Sequence, residues 1–197
     1  MKKYINLKLD LFVYMGLAVF FLILPASLYL PPEFGYENGL IENMQMIILI
    51  LSCCLVIKSK ERKTFFNLIL MILIILILRE INCGRTLFFP IPGQDNAFYS
   101  WKEIPYGWLA HPLYGIYIAA TVIYGFIYKF WTDLQFYITK TKIPIWNTLL
   151  LVSGIVLSLL AEKMTENFVF EEMSELLMYV SILGIVYMYS QKKYAEV

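Results

Sequence analysis

Long apolar runs, broken by prolines, glycines and charged residues, are the main pattern along this chain. A helix needs about 20 mostly apolar residues to cross a bilayer, within a range of roughly 17–25. The stretches that meet or approach this length are residues 11–30, 40–57, 64–80, 107–128, 143–161 and 173–190. They do not alternate apolar and polar positions at period two, which argues against a transmembrane barrel. The pattern therefore predicts an all-α polytopic membrane protein, with six transmembrane helices in one domain that spans residues 1–197.

The segments between the apolar runs support these boundaries. Pro31 and Pro32 follow the first run, and a charged segment at 58–63 separates the second run from the third. The loop at 86–106 is rich in aromatic residues, which favours an interfacial belt, although a lid over nearby polar groups is the alternative. The first run has a cleaved signal peptide as its alternative reading, but its length exceeds the usual apolar core of about 7–15 residues, so a retained helix is favoured.

Composition narrows the class of protein further. Apolar residues make up 60% of the chain and charged residues 16%, and the mean hydropathy is +0.67. An ordinary soluble domain has roughly 45–50% apolar and about 25% charged residues. The net charge of +1 argues against a strongly basic nucleic-acid-binding protein, so no nucleic-acid partner is expected. Membrane lipids are the expected partners, together with a protein partner or further copies of the chain.

The positive charges predict the orientation. If six spans alternate, 12 of the 16 lysines and arginines fall on the side of the N-terminus. Lysine and arginine accumulate in cytoplasmic loops, so both termini are expected in the cytoplasm of a bacterial inner membrane. The acidic residues are distributed the other way, with 11 of 15 on the outer side. Acidic residues contribute little to insertion, so this bias points to a function at the outer side.

The outer ends of the predicted helices carry a set of polar side chains at similar depth. Glu37, Glu171 and Glu172 are explained as first-turn carboxylates, which the helix dipole stabilises. Three other acids sit at predicted helix C-termini, where the dipole disfavours an anion: Glu80, Glu162 and Glu166. Each of them therefore needs an arginine, a metal ion or water beside it. The sequence therefore predicts a polar pocket open to the outer leaflet, lined by Glu42, Gln45, Arg79, Glu80, Arg85, His111, Glu162 and Glu175.

Each residue type in this pocket suggests a chemical role. His111, Glu42 and Glu175 are the candidate catalytic residues, because a histidine or a carboxylate with a raised pKa can transfer a proton. The candidate substrate-binding residues, whose arginines suit phosphate or carboxylate headgroups, are Arg79, Arg85, Glu80, Gln45 and Glu162. A zinc site with several histidines is excluded because His111 is the only histidine. A carboxylate site for Mg²⁺, Mn²⁺ or Ca²⁺ stays open, and neither a metal nor a cofactor is assigned.

Three short strings resemble a group of small bacterial multi-pass membrane proteins of unknown function. They are ENGLIE at 37–42, REINCGR at 79–85 and EEMSE at 171–175. The resemblance implies an inner-membrane location and supplies no activity. Three functions therefore compete: an enzyme or binder of lipid-like or envelope substrates, a non-catalytic assembly, immunity or defence partner, and an ion-conducting or transport protein.

Overall fold

The computed structural model describes residues 5–59, 62–94, 96–164 and 167–191. The helices are α1 (Leu11–Tyr29), α2 (Leu40–Lys58), α3 (Lys63–Glu80), α4 (Arg85–Phe88), α5 (Ala110–Ile127), α6 (Phe130–Lys140), α7 (Ile145–Met164) and α8 (Phe168–Ser190). Two short strands, β1 (Ile5–Asn6) and β2 (Ile143–Pro144), pair in parallel. Four helical segments in this part of the chain are long and apolar enough to cross a membrane, or five if α3 and α4 form one bent span. The all-helical class is thus confirmed, and the long apolar helices fit a membrane protein, whereas the count of six spans stays a prediction.

Helix α8 lies at the centre of the bundle. Thirteen of its 23 residues are buried, and α1, α2 and α7 pack directly against it. Helix α3 packs on α2, and α5 packs on α3 at the periphery. We call the end of the bundle where α2 and α8 begin and α3 ends the acidic end, because it carries Glu42, Glu80, Glu172 and Glu175.

Each of the six predicted apolar runs coincides with a helix, with one informative shift at α8. The predicted span begins at residue 173, whereas α8 begins at Phe168. The Asn167 side chain caps this start by accepting a hydrogen bond from the Phe170 backbone N–H at 3.0 Å. Glu172 and Glu175 consequently lie inside the helix and point into the bundle, rather than occupying its first turn.

The break after α3 and the short helix α6 were not predicted from the apolar pattern. Asn82 and Cys83 adopt positive φ, and Gly84 follows with φ of 93°, so the chain bends by 57° between α3 and α4. Helix α6 lies in the predicted loop between the fourth and fifth spans. An ion pair of Arg62 with Asp133 and the stacking of Arg62 on the Phe136 ring at 3.5 Å hold α6 against the start of α3.

Candidate functional site

Three glutamates form the centre of the acidic end, and we call them the carboxylate cluster: Glu80, Glu172 and Glu175. Glu80 is the last residue of α3, and the other two are three residues apart on α8. Residues at this spacing lie on one face of a helix. Carboxylate oxygens of the three residues lie within 4.8 Å of one another. The fold therefore brings the carboxylate of Glu80 next to two carboxylates that lie more than 90 positions later in the sequence.

Arginine and tyrosine side chains bridge α3 and α8 at this cluster. The guanidinium of Arg79 donates to Glu175 Oε1, and its Nη1 lies 3.9 Å from Glu80 Oε1. The Tyr179 hydroxyl, one turn further along α8 than Glu175, donates to Glu80 Oε1 at 2.5 Å. The side chain of Arg79 is 50% exposed, whereas those of Glu80 and Glu175 are 5% exposed. Arg79 therefore covers the buried carboxylates from the surface side, and it is one of the partners that the sequence analysis allowed for Glu80 at its helix end.

Helix α2 supplies the second wall of the site. The Gln45 amide nitrogen donates to Glu172 Oε2 and to the Glu172 backbone carbonyl, both at 2.8 Å. Gln45 is fully buried, and among the described residues no donor reaches its Oε1. One turn earlier, the buried carboxylate of Glu42 accepts from the backbone N–H of Asn38, which has a positive φ. The predicted facing of Glu42 and Gln45 into one polar region is therefore observed.

Helix α7 adds one hydroxyl that the sequence did not indicate. Ser158 Oγ donates to Glu175 Oε1 at 3.2 Å. Glu172 and Tyr179 also belong to the site, although Glu172 was expected to be a first-turn carboxylate. Their spacing to Glu175 was the available signal, since residues three or four apart share a helix face. A lone serine in an apolar run gives no comparable signal.

Three predicted site residues lie apart from the carboxylate cluster. His111 is exposed near the start of α5, where its ring lies 5.4 Å from the Trp101 ring. Arg85, on α4, faces Glu37 with 3.8 Å between Nη2 and Oε2. Glu162 is exposed near the end of α7. Their chemical roles stay predictions, but the structure does not gather them with Glu175.

The loop between α4 and α5 contacts the connection that precedes α2. Its Asn96 side chain accepts from the Glu37 backbone N–H at 3.1 Å, which ties the loop to the connection before α2. The exposed Glu103 accepts hydrogen bonds from the Ser100 side chain and backbone, and these bonds lower the pKa of its carboxyl. Asp95 and Glu166, two further acids that we expected near this region, lie outside the described residues.

The arrangement supports three kinds of chemistry. A half-exposed guanidinium suits an anionic headgroup, since charge-assisted bonds to arginine are strong and directional. Neighbouring carboxylates favour unequal protonation, which is the basis of acid and base pairs. Clustered carboxylate oxygens also match the preference of hard divalent cations. Comparison of the chain with protein-family models, curated proteins and solved structures finds no match.

Proposed function

We propose that this protein is a bacterial inner-membrane protein that binds or modifies a lipid-like or envelope substrate at its acidic end. The observation that carries the proposal is the position of Arg79, half exposed above the buried carboxylates of Glu80 and Glu175. This arrangement offers a charged group to an approaching anion, with proton-transfer groups directly beneath it. An intramembrane ionisable group is costly, so a cluster of them is a candidate functional site.

The contact between α3 and α8 supports access for a lipid. Helix α3 packs closely on α2 and α5, and the side chains of Arg79 and Tyr179 make its polar contacts with α8. A guanidinium has five N–H donors, so donors remain for a headgroup beside the bond to Glu175. A phosphate or carboxylate headgroup entering between α3 and α8 would therefore meet Arg79 first.

Among the predicted catalytic residues, the geometry favours Glu175, with Glu42 second. Glu175 contacts Arg79 and Ser158 and lies within the carboxylate cluster. Glu42 is buried nearby on α2. A catalytic role for His111 is a separate prediction, which would require the loop at Trp101 to bring a substrate to it.

The proposal includes six transmembrane helices with both termini in the cytoplasm. The six spans would be α1, α2, α3 with α4, α5, α7 and α8, and the lysine and arginine distribution supports this orientation. The acidic end would then face the extracytoplasmic side. A phosphatase reporter inserted at Gly93 should be active, and one fused after Gln191 should be inactive. The reverse pattern would contradict the orientation.

Native mass spectrometry of lipids that co-purify with the full chain tests substrate binding. We expect the wild type to retain an anionic lipid or lipid-linked envelope precursor, and Arg79→Gln to lose it. Arg79→Lys keeps the charge but loses the planar fork, so it should retain less than the wild type. Lys163→Gln, which removes an exposed cation near the end of α7, is the matched control. Equal retention by Arg79→Gln and Lys163→Gln would contradict the proposal.

Catalytic turnover of a lipid substrate is tested with the purified protein preparations used for the lipid-binding experiment. Incubation of wild type with an inner-membrane lipid extract should yield a new lipid species if the site is catalytic. Glu175→Gln should abolish the product while lipid retention persists, since an amide keeps the shape but not the proton transfer. Retention without a product in the wild type would assign a binding function. Selective ion flux through proteoliposomes would instead favour a transport function.

A non-catalytic partner protein is the second candidate, and α5 is the feature that favours it. Helix α5 packs on α3 and leaves apolar side chains such as Leu113, Ile116 and Val122 exposed. Lipid tails cover such a face by default, but a partner helix also fits it. Photocrosslinking from Ile116 in cells distinguishes the two, because a discrete crosslinked protein would support a partner and a lipid-only adduct would not.

A further inference from the structure

The geometry points to a binding site for one divalent cation, held by Glu80, Glu172 and Glu175 together with the amide oxygen of Gln45. The cation belongs to the oxygen-preferring class of Mg²⁺, Mn²⁺ and Ca²⁺. The inference deepens the proposed function. It rests on that proposal only for the idea that the cation site serves a substrate-binding protein. Its evidence is the chemistry of the four side chains.

The spacing of the carboxylates suits a single ion. Hard divalent cations bind oxygen at about 2.0–2.6 Å, so two ligands of one ion are at most about 4–5 Å apart. Oxygens of Glu80, Glu172 and Glu175 all lie within 4.8 Å of one another. They come from two helices that the bundle holds in place, which limits the rearrangement that binding requires.

Gln45 provides an independent observation that points to a ligand. Its side chain is fully buried and directed into the cluster, because Nε2 donates to Glu172 Oε2 at 2.8 Å. This bond orients the amide, and Oε1 has no donor among the described residues. A buried carbonyl oxygen without a partner is costly and rare. A cation beside Glu172 would give this oxygen the partner it lacks.

The hydrogen bonds of the cluster leave oxygens for an ion. Donors reach Oε1 of Glu80, Oε1 of Glu175 and Oε2 of Glu172. In the described part of the chain, no hydrogen bond reaches the second oxygen of any of these carboxylates. Each glutamate therefore has, besides the oxygen bound to its protein partner, one carboxylate oxygen that no described donor contacts.

Charge balance favours a divalent ion over an empty site. Three carboxylates and the guanidinium of Arg79 leave two negative charges when all are ionised. Uncompensated buried charge is strongly unfavourable, above all within a membrane. One divalent cation cancels this excess, and bound protons are the competing way to do so.

Titration of Mn²⁺ into the full-length protein tests the site. The chain is purified in detergent and stripped with EDTA, and free Mn²⁺ is followed by electron paramagnetic resonance. We expect about one ion per chain, displaced by Mg²⁺ or Ca²⁺. Glu172→Gln should weaken binding by at least about tenfold, as loss of a supporting ligand commonly does. Glu33→Gln is the matched control, since Glu33 is an exposed acid at the same end and outside the cluster.

Thermal unfolding separates a lost site from a lost fold. Mn²⁺ should raise the unfolding midpoint of wild type and Glu33→Gln equally, because ligands stabilise the state that binds them. At the same Mn²⁺ concentration it should raise the midpoint of Glu172→Gln by clearly less, and unfolding in EDTA shows whether that variant folds. Millimolar or weaker Mn²⁺ binding by wild type, or equal binding by Glu172→Gln, would overturn the inference and favour protons.

Failure of the cation site can be distinguished from failure of the proposed lipid binding. Lipid retention is measured in EDTA, where it depends on Arg79 but not on the metal ion. Retention that requires Arg79, with no Mn²⁺ binding, would overturn the cation site alone. Tight Mn²⁺ binding with retention unaffected by Arg79→Gln would support the cation site and contradict the proposed lipid recognition.

Discussion

Helix α8 meets its neighbours α7 and α3 in two different ways. Towards α7 the backbones nearly touch: a Cβ placed on Gly154 would lie 2.8 Å from the Met178 backbone nitrogen. Towards α3 the contact is made by long polar side chains, with Tyr179 reaching Glu80 and Arg79 reaching Glu175. Small residues allow close helix approach in membranes, and polar side chains join helices that lie further apart.

The difference separates an interface that close packing stabilises from one that polar side chains stabilise. The α7–α8 interface has no space for an added atom at Gly154, so its stability should depend on side-chain volume. The α3–α8 interface should depend instead on whether each buried polar group has its partner. The proposed substrate and cation would therefore enter on the α3 side, where no backbone contact as close as that at Gly154 has to change.

Gly154→Ala should have the largest effect on stability. The added methyl meets Met178 and Ser174 backbone atoms at 2.8 and 3.0 Å, and backbone cannot move aside as a side chain can. Overpacking of this kind should cost about 3 kcal/mol, measured by unfolding in a denaturing detergent. An unchanged free energy of unfolding would show that α7 and α8 are less closely packed than described.

Tyr179→Phe should have the second largest effect, and it probes the polar interface. The ring is kept, but Glu80 loses the hydroxyl that donates at 2.5 Å, and Tyr179 is fully buried. Loss of a donor to a buried carboxylate should lower the free energy of unfolding by about 2 kcal/mol. Tyr187→Phe is the control, since the Tyr187 ring packs at a tilt against Phe12 with centroids 4.8 Å apart. Equal losses in both variants would mean that the hydroxyl contact is unimportant.

Gly184→Ala should have a smaller effect than Gly154→Ala, although both glycines lie at the α7–α8 interface. A Cβ on Gly184 would meet side-chain atoms of Asn147, the nearest at 2.7 Å, and a side chain can partly move away. We expect a loss of about 1 kcal/mol in unfolding free energy. The loss should nearly vanish in an Asn147→Ala background, because the obstructing amide is gone. Strict additivity of the two changes would contradict this contact.

The sequence predicted where the helices lie along the chain more completely than it predicted how they bend and which of their faces meet. Apolar run length is enough to find a membrane helix, but α6 has only 11 residues with Asp133 and Lys140 among them, so it resembled a loop. The bend at Gly84 depends on positive φ values of Asn82 and Cys83, which no apolar pattern reports. These features arise from local backbone geometry and from the ion pair of Arg62 with Asp133.

The sequence predicted those parts of the candidate site that depend only on which residues share a helix face. Glu42 and Gln45 share a face by their spacing, and the costly position of Glu80 at a helix end implied an arginine, a metal ion or water beside it. Glu172 was misjudged because the Asn167 cap starts α8 earlier than the apolar run suggests. The locations of His111 and Glu162 depend on how α5 and α7 are rotated in the bundle, which tertiary packing decides.

Gly115→Ala should have the smallest effect, and its sign bears on the second candidate function. Gly115 lies in α5, and no atom is within 4 Å of a Cβ placed on it. Alanine is the better helix former, so stability should rise by about 0.5 kcal/mol if lipid covers this face. A partner helix packed closely at Gly115 would reverse the sign in the native membrane while detergent-purified protein still gains stability. Measuring unfolding in both environments therefore distinguishes a lipid-facing α5 from one that another chain covers.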